Sequence, residues 1–521
     1  MAALMGRRGR SVIAIERYPE LHNLPRAGHI DHEVVRTVQQ VGDVEALVDT
    51  MWEVRDDYMW LNGQGELLML QPLDLATSVS GWYADYTLYQ PNLERAMHEA
   101  ALESGVEVLF GWDVVSVRSH DDHVEVCCNR VSYGEDGERI RSEEYRTIQA
   151  RYAVGADGAS SFTRTTLGIP REDFGFNERW LDIDMKTLKP HKFSPNIAQI
   201  ADPARPRMLM PLGKGHRRFE WMVMDGETDE LMERPETGWE LLSEWDVTPE
   251  THEIARQIVY HFQARIAERW RRGRVFLAGD AAHTMPPYAG QGVCSSIRDV
   301  NNLAWKLDLV LDGLAPDTIL DSYELERRAH VTDWTRISLA EGEVSCVTDP
   351  VVAAERDKRL LSGEPLPIPH FPTLRDGLLI HGPDSDVVPP VGTLGLQGRV
   401  RYRGREGLFD DLLGHSRFQL ISRAGDPFSR LSEGEREFLA KLGAIVAEVV
   451  PPASDADPDA VVDIDGAYAR YFDEYGLDAV LNRPDFYVFG GVESIDSLGS
   501  LVQALKDALV SPSPVAVVEA R

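Results

Sequence analysis

Residues Arg274–Gly292 read RVFLAGDAAHTMPPYAGQG, and this stretch carries most of the information about the fold. Its apolar run at 275–278 predicts a buried strand of a parallel sheet. Asp280 follows that strand, and ligands of open parallel sheets bind beyond the carboxyl ends of the strands. We therefore expect the Asp280 carboxylate to accept hydrogen bonds from hydroxyl groups of a ligand. The alternative is a tight turn that binds no ligand.

A long helix is predicted to follow Gly290 and Gly292. Its unpaired N–H groups and the positive end of its dipole would face the same crevice as Asp280. This geometry suits a cofactor that becomes anionic, as a reduced flavin does. Apolar residues recur every three or four positions and predict an amphipathic stripe. They are Val293, Ile297, Val300, Ala304, Leu307 and Leu311.

A second apolar strand, at 152–156, ends in Asp157-Gly158, and Ser160 or Ser161 is predicted to cap a helix behind it. Arg164 lies one helical turn beyond Ser161, from where it could reach a phosphate. A DG turn without any ligand is the alternative for this segment.

Three further positions are weaker candidates. The run SVIAIE predicts a buried parallel strand ending at Glu16, whose carboxylate could bind ribose hydroxyls. Arg26 could pair with a pyrophosphate or an incoming nicotinamide nucleotide, or it is a solvated loop residue. Gln90 precedes a predicted helix, and it either faces the cofactor or caps that helix.

The pattern changes from about residue 180. LDIDM at 181–185 and RRFEWMVM at 217–224 alternate apolar and polar residues, which predicts antiparallel strands, and Gly213-Lys214-Gly215 suggests a hairpin before the second. Prolines cluster in a predicted linker over 351–392. Beyond it, short apolar runs and helical patterns, including a predicted helix from Glu435 to Val449, indicate a small third α/β unit.

The composition of the chain disfavours several classes of function. A chain of 521 residues predicts two to four domains. Its 85 acidic against 54 basic residues give a net charge of −31, which disfavours nucleic acid. No run approaches the ~20 apolar residues of a membrane span, and the amino terminus does not resemble a signal peptide, so we expect a cytoplasmic protein. Four cysteines without zinc spacing predict no metal site.

The order of these motifs resembles the para-hydroxybenzoate hydroxylase class of flavoprotein monooxygenases (class A) over residues 1 to about 345. The resemblance implies FAD, with NADH or NADPH as co-substrate and dioxygen as oxidant. It places Glu16 on the ribose, Arg26 and Gln90 near the pyrophosphate and ribitol, Asp280 on the ribitol, and Pro286 beside the isoalloxazine. The full implied set is Glu16, Arg26, Gln90, Asp157, Gly158, Arg164, Gly279, Asp280, Pro286, Gly290, Gln291 and Gly292.

Within this class, RRFEWMVMDGET, the segment 285–307 and the tail NRPDFYVFG are most similar to the 3-(3-hydroxyphenyl)propionate hydroxylase branch, which carries a thioredoxin-like carboxy-terminal domain. The expected fold is α/β: a Rossmann-like FAD-binding domain (1–50, 86–180 and 268–350), an inserted antiparallel-sheet substrate domain (51–85 and 181–267), the linker, and a thioredoxin-like domain (393–521). No cysteine lies beyond Cys346, so that domain is expected to serve packing or assembly.

The resemblance implies hydroxylation of a phenolic ring, on a substrate like 3-(3-hydroxyphenyl)propionate. Arg218 and Tyr288 are candidates for substrate contact, and the alternatives are a surface sheet residue and a packed aromatic. Other hypotheses are a tailoring hydroxylase of a polyketide-like aromatic and a non-catalytic binding protein. A homodimer is compatible with the sequence, which does not determine the oligomeric state.

The sequence departs from the family at its amino terminus. Family members begin with a strand and a Gly-x-Gly-x-x-Gly turn that binds pyrophosphate, with the acidic residue ~20 residues later. Only fifteen residues precede Glu16, and they lack this motif. Either the true start lies upstream or the chain is short. We expect the chain as written to bind FAD weakly or not at all; equal, stoichiometric flavin absorbance in this chain and in an upstream-extended version would contradict that expectation.

Overall fold

The computed structural model describes residues 1–55, 58–70, 78–134, 137–364, 371–382, 386–452, 460–510 and 515–516. The chain divides into two compact units. Unit 1 comprises Met1–Ala76, Tyr83–Ile297 and Val331–Phe371, and unit 2 comprises Thr77–Trp82, Arg298–His330 and Pro372–Arg521. Over the described ranges, none of the helices combines the length and the apolar character needed to cross a membrane.

The helices of the described residues are α1 Ala2–Arg7, α2 His32–Gln39, α3 Val44–Val48, α4 Gln90–Glu103, α5 Phe162–Thr166, α6 Asp229–Met232, α7 Pro235–Leu242, α8 Gly292–Leu311, α9 Asp321–Ser345, α10 Pro350–Leu361, α11 Phe409–Leu413, α12 Pro427–Arg430, α13 Glu433–Lys441, α14 Ala467–Tyr475 and α15 Leu498–Val510.

The strands are β1 Ile13–Glu16, β2 His29–Asp31, β3 Trp52–Glu53, β4 Tyr58–Asn62, β5 Leu67–Leu70, β6 Asp85–Thr87, β7 Glu107–Phe110, β8 Trp112–Ser119, β9 Val124–Tyr133, β10 Arg139–Ala150, β11 Ala153–Gly155, β12 Arg171–Thr187, β13 Ile197–Ala201, β14 Arg207–Pro211, β15 His216–Met222, β16 His252–Ala267, β17 Arg271–Arg272, β18 Val275–Leu277, β19 His283–Thr284, β20 Ile380–His381, β21 Arg399–Tyr402, β22 Arg405–Leu408, β23 Gln419–Ser422, β24 Ile445–Val450, β25 Val461–Asp463, β26 Ala479–Asn482, β27 Val488–Val492 and β28 Val515–Ala516.

The largest sheet of unit 1 has eight strands in the order β19-β16-β12-β15-β14-β13-β4-β5. β12 and β15 are antiparallel, as predicted, and β14 and β15 form the predicted hairpin. The alternation places Leu181, Ile183, Phe219 and Trp221 in a hydrophobic core on one side. The other side, called here the polar face, carries four buried charged residues. They are Asp182, Asp184, Arg218 and Glu220.

Two short parallel pairs also belong to unit 1, β1 with β7 and β11 with β18. The strands predicted at 11–16, 152–156 and 275–278 are therefore confirmed, with the slightly shorter observed bounds 13–16, 153–155 and 275–277. The expected burial of the first is wrong, because Ile13 is 39% exposed. Within the described residues β1 has a neighbour on one side only, which leaves this strand less covered than a central strand of a parallel sheet.

Helix α8 begins at Gly292, as predicted, but the expected amphipathic stripe is wrong. The helix is buried around almost its whole circumference, and Val293, Val300 and Leu311 of the predicted stripe are less buried than several of its polar residues. Ion pairs and hydrogen bonds compensate this burial, as for Lys306 with Glu326. The buried polar residues are Ser295, Arg298, Asp299, Asn301, Asn302 and Lys306.

Unit 2 contains a seven-stranded mixed sheet in the order β22-β21-β25-β24-β23-β26-β27. The predicted helix from Glu435 to Val449 is wrong in its second half. α13 ends at Lys441, Gly443 adopts a φ of +63°, and β24 follows. The Gly443 N–H bonds to Ala440 O and the Ala444 N–H bonds to Leu439 O, which closes the helix.

The predicted linker over 351–392 is not irregular throughout. α10 occupies Pro350–Leu361 and begins with a cap from Asp349, whose carboxylate accepts from the backbone N–H groups of Val351 and Val352. β20 lies further along at Ile380–His381. The proline-rich residues at 365–370 and the residues at 383–385 lie outside the described residues.

Candidate functional site

The segments that end in Asp157 and Asp280 lie side by side. β11 and β18 pair in parallel with Ala153 opposite Val275 and Gly155 opposite Leu277, so their carboxyl ends meet at one edge. Asp280 lies in a short 3-10 turn just after β18 and is exposed. An exposed carboxylate at this edge is chemically suited to the hydroxyl groups of a ligand.

Asp157 accepts two hydrogen bonds from residues at the start of α5. One carboxylate oxygen accepts from the Ser161 hydroxyl, and the other accepts from the Thr163 N–H at 2.8 Å. The Ser161 hydroxyl oxygen in turn accepts from the Arg164 N–H at 2.9 Å, so Ser161 is the N-cap. Gly158 adopts a φ of +78°, which the turn before the helix requires. Any contact of Asp157 and Gly158 with a cofactor stays a prediction.

Arg164 is buried and bonds to two backbone turns. Its side chain is only 6% exposed and donates to the carbonyl oxygens of Ala281 at 3.0 Å and Ala159 at 3.1 Å. The guanidinium therefore joins the turn after β11 to the turn after β18, because these carbonyl groups are its nearest acceptors. Its predicted phosphate contact stays untested.

The start of α8 is open to a ligand. A Cβ added to Gly292 would have no heavy atom within 4 Å, whereas one at Gly290 would lie 2.5 Å from the His29 ring. Gly290 has a φ of +64°, and Gln291 donates through Nε2 to Asp31 at 3.2 Å. The first amides of α8 are thus held in place beside free space. This donor set fits the anionic end of a reduced flavin ring.

His29 contacts the turn at 290–292 through the Gly290 carbonyl oxygen. One ring nitrogen lies 3.1 Å from the Gly290 carbonyl oxygen and the other lies 2.7 Å from an Asp85 carboxylate oxygen. Burial lowers the pKa of His29, but its hydrogen bonds to Asp85 and Cys294 outweigh this and raise it well above the usual value. The imidazolium form donates to both oxygens, so a positive charge lies next to the Gly290 carbonyl group.

Arg26 and Gln90 form one connected group with the polar face. The Gln90 side-chain oxygen accepts from the backbone N–H groups of Arg26 at 3.2 Å and Ala27 at 2.6 Å, so it anchors this loop rather than capping α4. The Arg26 side chain pairs with Glu94 at 2.7 Å. The Arg26 carbonyl oxygen accepts from Arg218 at 2.8 Å. The loop at 25–28 is therefore fixed against the sheet.

Glu16 stands apart from both groups. It is exposed at the carboxyl end of β1, where its side chain accepts from the Tyr18 N–H at 2.9 Å. In the described part of the chain no hydrogen bond connects it to the Arg26 loop or to the Asp157 and Asp280 turns. Its predicted contact with a ribose is compatible with this exposure and stays a prediction.

Arg218 is not a surface residue, since it is only 5% exposed. It makes two hydrogen bonds to Asp184, at 2.7 and 2.9 Å, and lies 3.4 Å from Asp182 and 3.5 Å from Glu220. One cation thus faces three buried acids. Burial raises the pKa of Glu220 to about 6 and that of Asp182 well above its usual range. Asp184, which makes both of the close hydrogen bonds, is the nearest acid to the Arg218 guanidinium.

Tyr288 packs among aromatic rings. Its ring centroid lies 6.1 Å from that of Phe176, 6.0 Å from Trp180 and 6.4 Å from Phe262. Its hydroxyl lies 2.9 Å from the Cys346 sulfur. Burial raises the pKa of Tyr288 well above 10, so this residue stays neutral at physiological pH. These contacts favour the alternative of a packed aromatic.

Sequence reasoning missed several residues of this region. The alternation of LDIDM and RRFEW contained a usable signal, because it places Asp182, Asp184 and Glu220 on the side of Arg218. His29 and Glu341 have no comparable local pattern. They reach the region through β2 and α9, which are far from it in sequence.

Comparisons with known proteins agree with this geometry. The model of the FAD binding domain family matches residues 1–338, and the HcaD C-terminal domain model matches residues 392–508. The chain is 35% identical to a probable NADH-specific resorcinol 4-hydroxylase of Rhodococcus jostii, over 99% of this chain and 93% of the relative. It is 33% identical to a 3-(3-hydroxy-phenyl)propionate/3-hydroxycinnamic acid hydroxylase of Mycolicibacterium smegmatis, over 94% and 88%.

The fold also matches a solved structure. Aklavinone-11 hydroxylase, solved with FAD and aklavinone, superposes with a TM-score of 0.76 at 24% identity, over 98% of this chain and 96% of that one. At this identity the likeness shows a shared mixed α/β fold. The family match, which covers well over half of the chain, confirms the resemblance drawn from the motifs. The chain belongs to the FAD binding domain family, the class A flavoprotein monooxygenases.

Proposed function

We propose that this protein hydroxylates a monocyclic phenol, with FAD as cofactor, NADH or NADPH as hydride donor and dioxygen as oxidant. The observation that carries this proposal is the presence of both an exposed Asp280 and an open start of α8 at Gly292 in a chain of the FAD-binding family. When bound, FAD supplies the activation of dioxygen at the expense of the nicotinamide donor.

The chain's own residues bind and orient the cofactor. We propose that Asp280 accepts from ribitol hydroxyls and that the amides at 291–292, at the start of α8, lie at the pole of the ring where negative charge develops. The His29 charge behind Gly290 adds to this stabilisation without touching the ring. Glu16, Arg26 and Gln90 keep their proposed places along the ribose, pyrophosphate and ribitol.

Tyr288 and its aromatic neighbours keep water away from the reacting end. The rings of Phe176, Trp180 and Phe262 surround it, and its own hydroxyl is engaged by Cys346. Water exclusion matters because activated oxygen is otherwise lost without hydroxylating the substrate. Tyr288 therefore acts by packing, in this proposal, and not as an acid or a base.

The substrate class follows from the relatives. One is named a 3-(3-hydroxy-phenyl)propionate/3-hydroxycinnamic acid hydroxylase and another a probable resorcinol 4-hydroxylase, and both names describe single-ring phenols. A 3-(3-hydroxyphenyl)propionate-like phenol is our first candidate substrate. Resorcinol is the second, since the relative that carries its name is aligned over 99% of this chain.

We also propose that residues 393–521 form a thioredoxin-like domain. Its mixed sheet places β23 between the parallel β24 and the antiparallel β26, with α13, α14 and α15 in the same segment. Since the segment contains no cysteine, its proposed role is packing or assembly, for example in a homodimer. The cytoplasm remains the proposed location of the enzyme.

The test uses the purified chain with excess FAD, each nicotinamide donor in turn, and air. We expect substrate-dependent oxidation of the donor and a product one oxygen atom heavier with 3-(3-hydroxyphenyl)propionate or resorcinol. 3-Phenylpropionate is the matched control, because it lacks only the hydroxyl group. Donor oxidation that yields no hydroxylated product from any phenol would contradict the proposal, and a strong preference for a polycyclic phenol would favour the tailoring enzyme instead.

A further inference from the structure

Glu341 of α9 is a buried acid with a free oxygen. The residue is only 4% exposed, and its Oε2 atom has no hydrogen-bond partner among the described residues. A carboxylate oxygen buried without a donor is costly, so such groups are normally paired. Neither the cofactor contacts nor the packing described above makes use of this oxygen.

The stretch of α9 around Glu341 packs against the segment 286–288. The Ser338 hydroxyl donates to the Pro286 carbonyl oxygen at 2.6 Å. One residue beyond Glu341, a Cβ on Gly342 would lie 2.8 Å from the Tyr288 ring, which shows how closely the two segments approach. Glu341 is thus held at the part of the structure assigned to the reacting ring.

Two groups on other elements are close enough to act on Glu341 electrostatically. The first is His29 of β2, whose ring contacts the Gly290 carbonyl oxygen. The second is Tyr58 of β4, on which Glu220 of the polar face also acts electrostatically. Glu341 is therefore near both Tyr58 of the eight-stranded sheet and His29 at the Gly290 carbonyl group.

The protonation of Glu341 suits proton transfer near neutral pH. Burial raises the pKa of Glu341 to about 7, and the charge on His29 opposes this rise. The other titratable groups nearby stay neutral at this pH, because burial raises the pKa values of Tyr58 and Tyr288 and brings that of Cys346 to about 12. A general base works best when its pKa lies close to the working pH.

We propose that Glu341 is a catalytic residue that binds the phenolic hydroxyl of the substrate through its free oxygen and takes its proton. This inference rests on the function proposed above. The O–H bond breaks, the proton moves to the carboxylate, and the electron pair remains on the phenol oxygen, which makes the ring carbon more nucleophilic. That carbon gains one atom of dioxygen as a hydroxyl group, its C–H bond breaks and releases a proton as the ring becomes aromatic again, the other oxygen atom leaves as water, and the nicotinamide donor supplies the two electrons.

The test compares Glu341→Gln with Glu343→Gln. The glutamine side chain has almost the same shape as glutamate and cannot take a proton, whereas Glu343 is exposed on the same helix two residues away. We expect Glu341→Gln to lower kcat by about 100-fold or more, within the range of general-base catalysis, and KM to change far less. The wild-type kcat should rise through about pH 7, and this rise should be absent in Glu341→Gln and present in Glu343→Gln and Glu341→Asp.

A second readout needs neither FAD nor turnover. The folded-state pKa of Glu341 is raised, so its contribution to stability is present at low pH and is lost as pH rises through about 7. A glutamine side chain does not titrate, so the melting temperature of Glu341→Gln relative to wild type should increase from pH 5 to pH 8. Glu343→Gln should show no such trend.

The outcomes separate the two proposals. An active wild type whose kcat and pH profile are unchanged in a folded Glu341→Gln overturns the role of Glu341 and leaves the proposed function intact. A wild type that binds FAD and hydroxylates no phenol overturns both. A Glu341→Gln variant that is less active but whose kcat still rises through about pH 7 also overturns the proposal. Another group would then be responsible for that rise.

Discussion

Replacing Arg218 by methionine is expected to lower the free energy of unfolding by about 3–5 kcal/mol, the range for a buried ion pair that loses one partner. Asp184 would lose two hydrogen bonds, and three buried acids would lose the cation that they share. The loop that contains Arg26 would also lose a donor at 2.8 Å. Urea denaturation followed by tryptophan fluorescence measures the effect.

The pH dependence of the stability loss in Arg218→Met shows whether the buried acids cause it. Asp182 and Glu220 already have raised pKa values in the folded state, and removal of Arg218 raises that of Glu220 further, because Arg218 lowers it in the wild type. Acids with raised pKa values contribute stability at low pH and lose it as pH rises. The deficit of Arg218→Met should thus be largest near pH 8 and smaller near pH 5.

A matched control lies on the same sheet. Arg265 pairs with Asp173 at 2.7 Å, but both side chains are partly exposed. Exposed pairs contribute less than about 1 kcal/mol, so Arg265→Met should have a small effect that varies little between pH 5 and pH 8. Equal losses in the two variants, or a deficit of Arg218→Met that does not depend on pH, would contradict the buried-acid explanation.

Replacing Glu326 by glutamine is expected to destabilise unit 2 by a similar amount, about 3–5 kcal/mol. One Glu326 oxygen accepts from Asn302 at 2.7 Å, Lys306 at 2.8 Å and Arg483 at 2.6 Å, and the other accepts from the Leu378 N–H at 2.9 Å. Lys306, Glu326 and Arg483 are essentially fully buried. The variant leaves two buried cations with one acid, Asp485.

The stability deficit of Glu326→Gln should change with pH in the opposite direction to that of Arg218→Met. Burial lowers the pKa of Lys306 to about 8 even with Glu326 present, and loss of that acid lowers it further. A base with a lowered pKa is stabilising at high pH, and this contribution is lost as pH falls. The deficit of Glu326→Gln should therefore be larger at pH 6 than at pH 9, as measured by thermal unfolding.

The control in unit 2 is Glu406→Gln. Glu406 pairs with Arg401 at 3.0 Å, and about half of each side chain is exposed. Its loss should cost less than about 1 kcal/mol. If Glu326→Gln were no more harmful than Glu406→Gln, the network around Glu326 would not stabilise the fold in the way inferred.

Much of the fold was accessible from local patterns. The strand ends at Asp157 and Asp280, the start of α8 at Gly292, and the alternation of β12 and β15 depend on residues that are neighbours in sequence. The same holds for the helix cap at Ser161. Period, turn residues and caps are local properties, so a single sequence is enough to predict them.

Predictions failed where distant segments meet. The stripe on α8 suggested a solvent-facing side, but buried partners such as Glu326 satisfy its polar residues. The hydrogen bond from Arg164 to the Ala281 carbonyl oxygen was not foreseen either, while the phosphate contact of Arg164 stays a prediction. The second half of the helical pattern at 435–449 was misread because the burial of β24 alternates while its sequence, IVAEVV, is almost continuously apolar and does not show that alternation.

The sequence by itself determined the family, the cofactor and the strand ends that carry Asp157 and Asp280, because these depend on short motifs with their own backbone requirements. Only the tertiary structure decided which buried polar groups are paired. Arg218 is shared by three acids, whereas one buried oxygen of Glu341 has no hydrogen-bond partner in the part of the chain that the structure describes. Pairing depends on side chains from strands and helices far apart in the chain, and no local pattern encodes the distances between them.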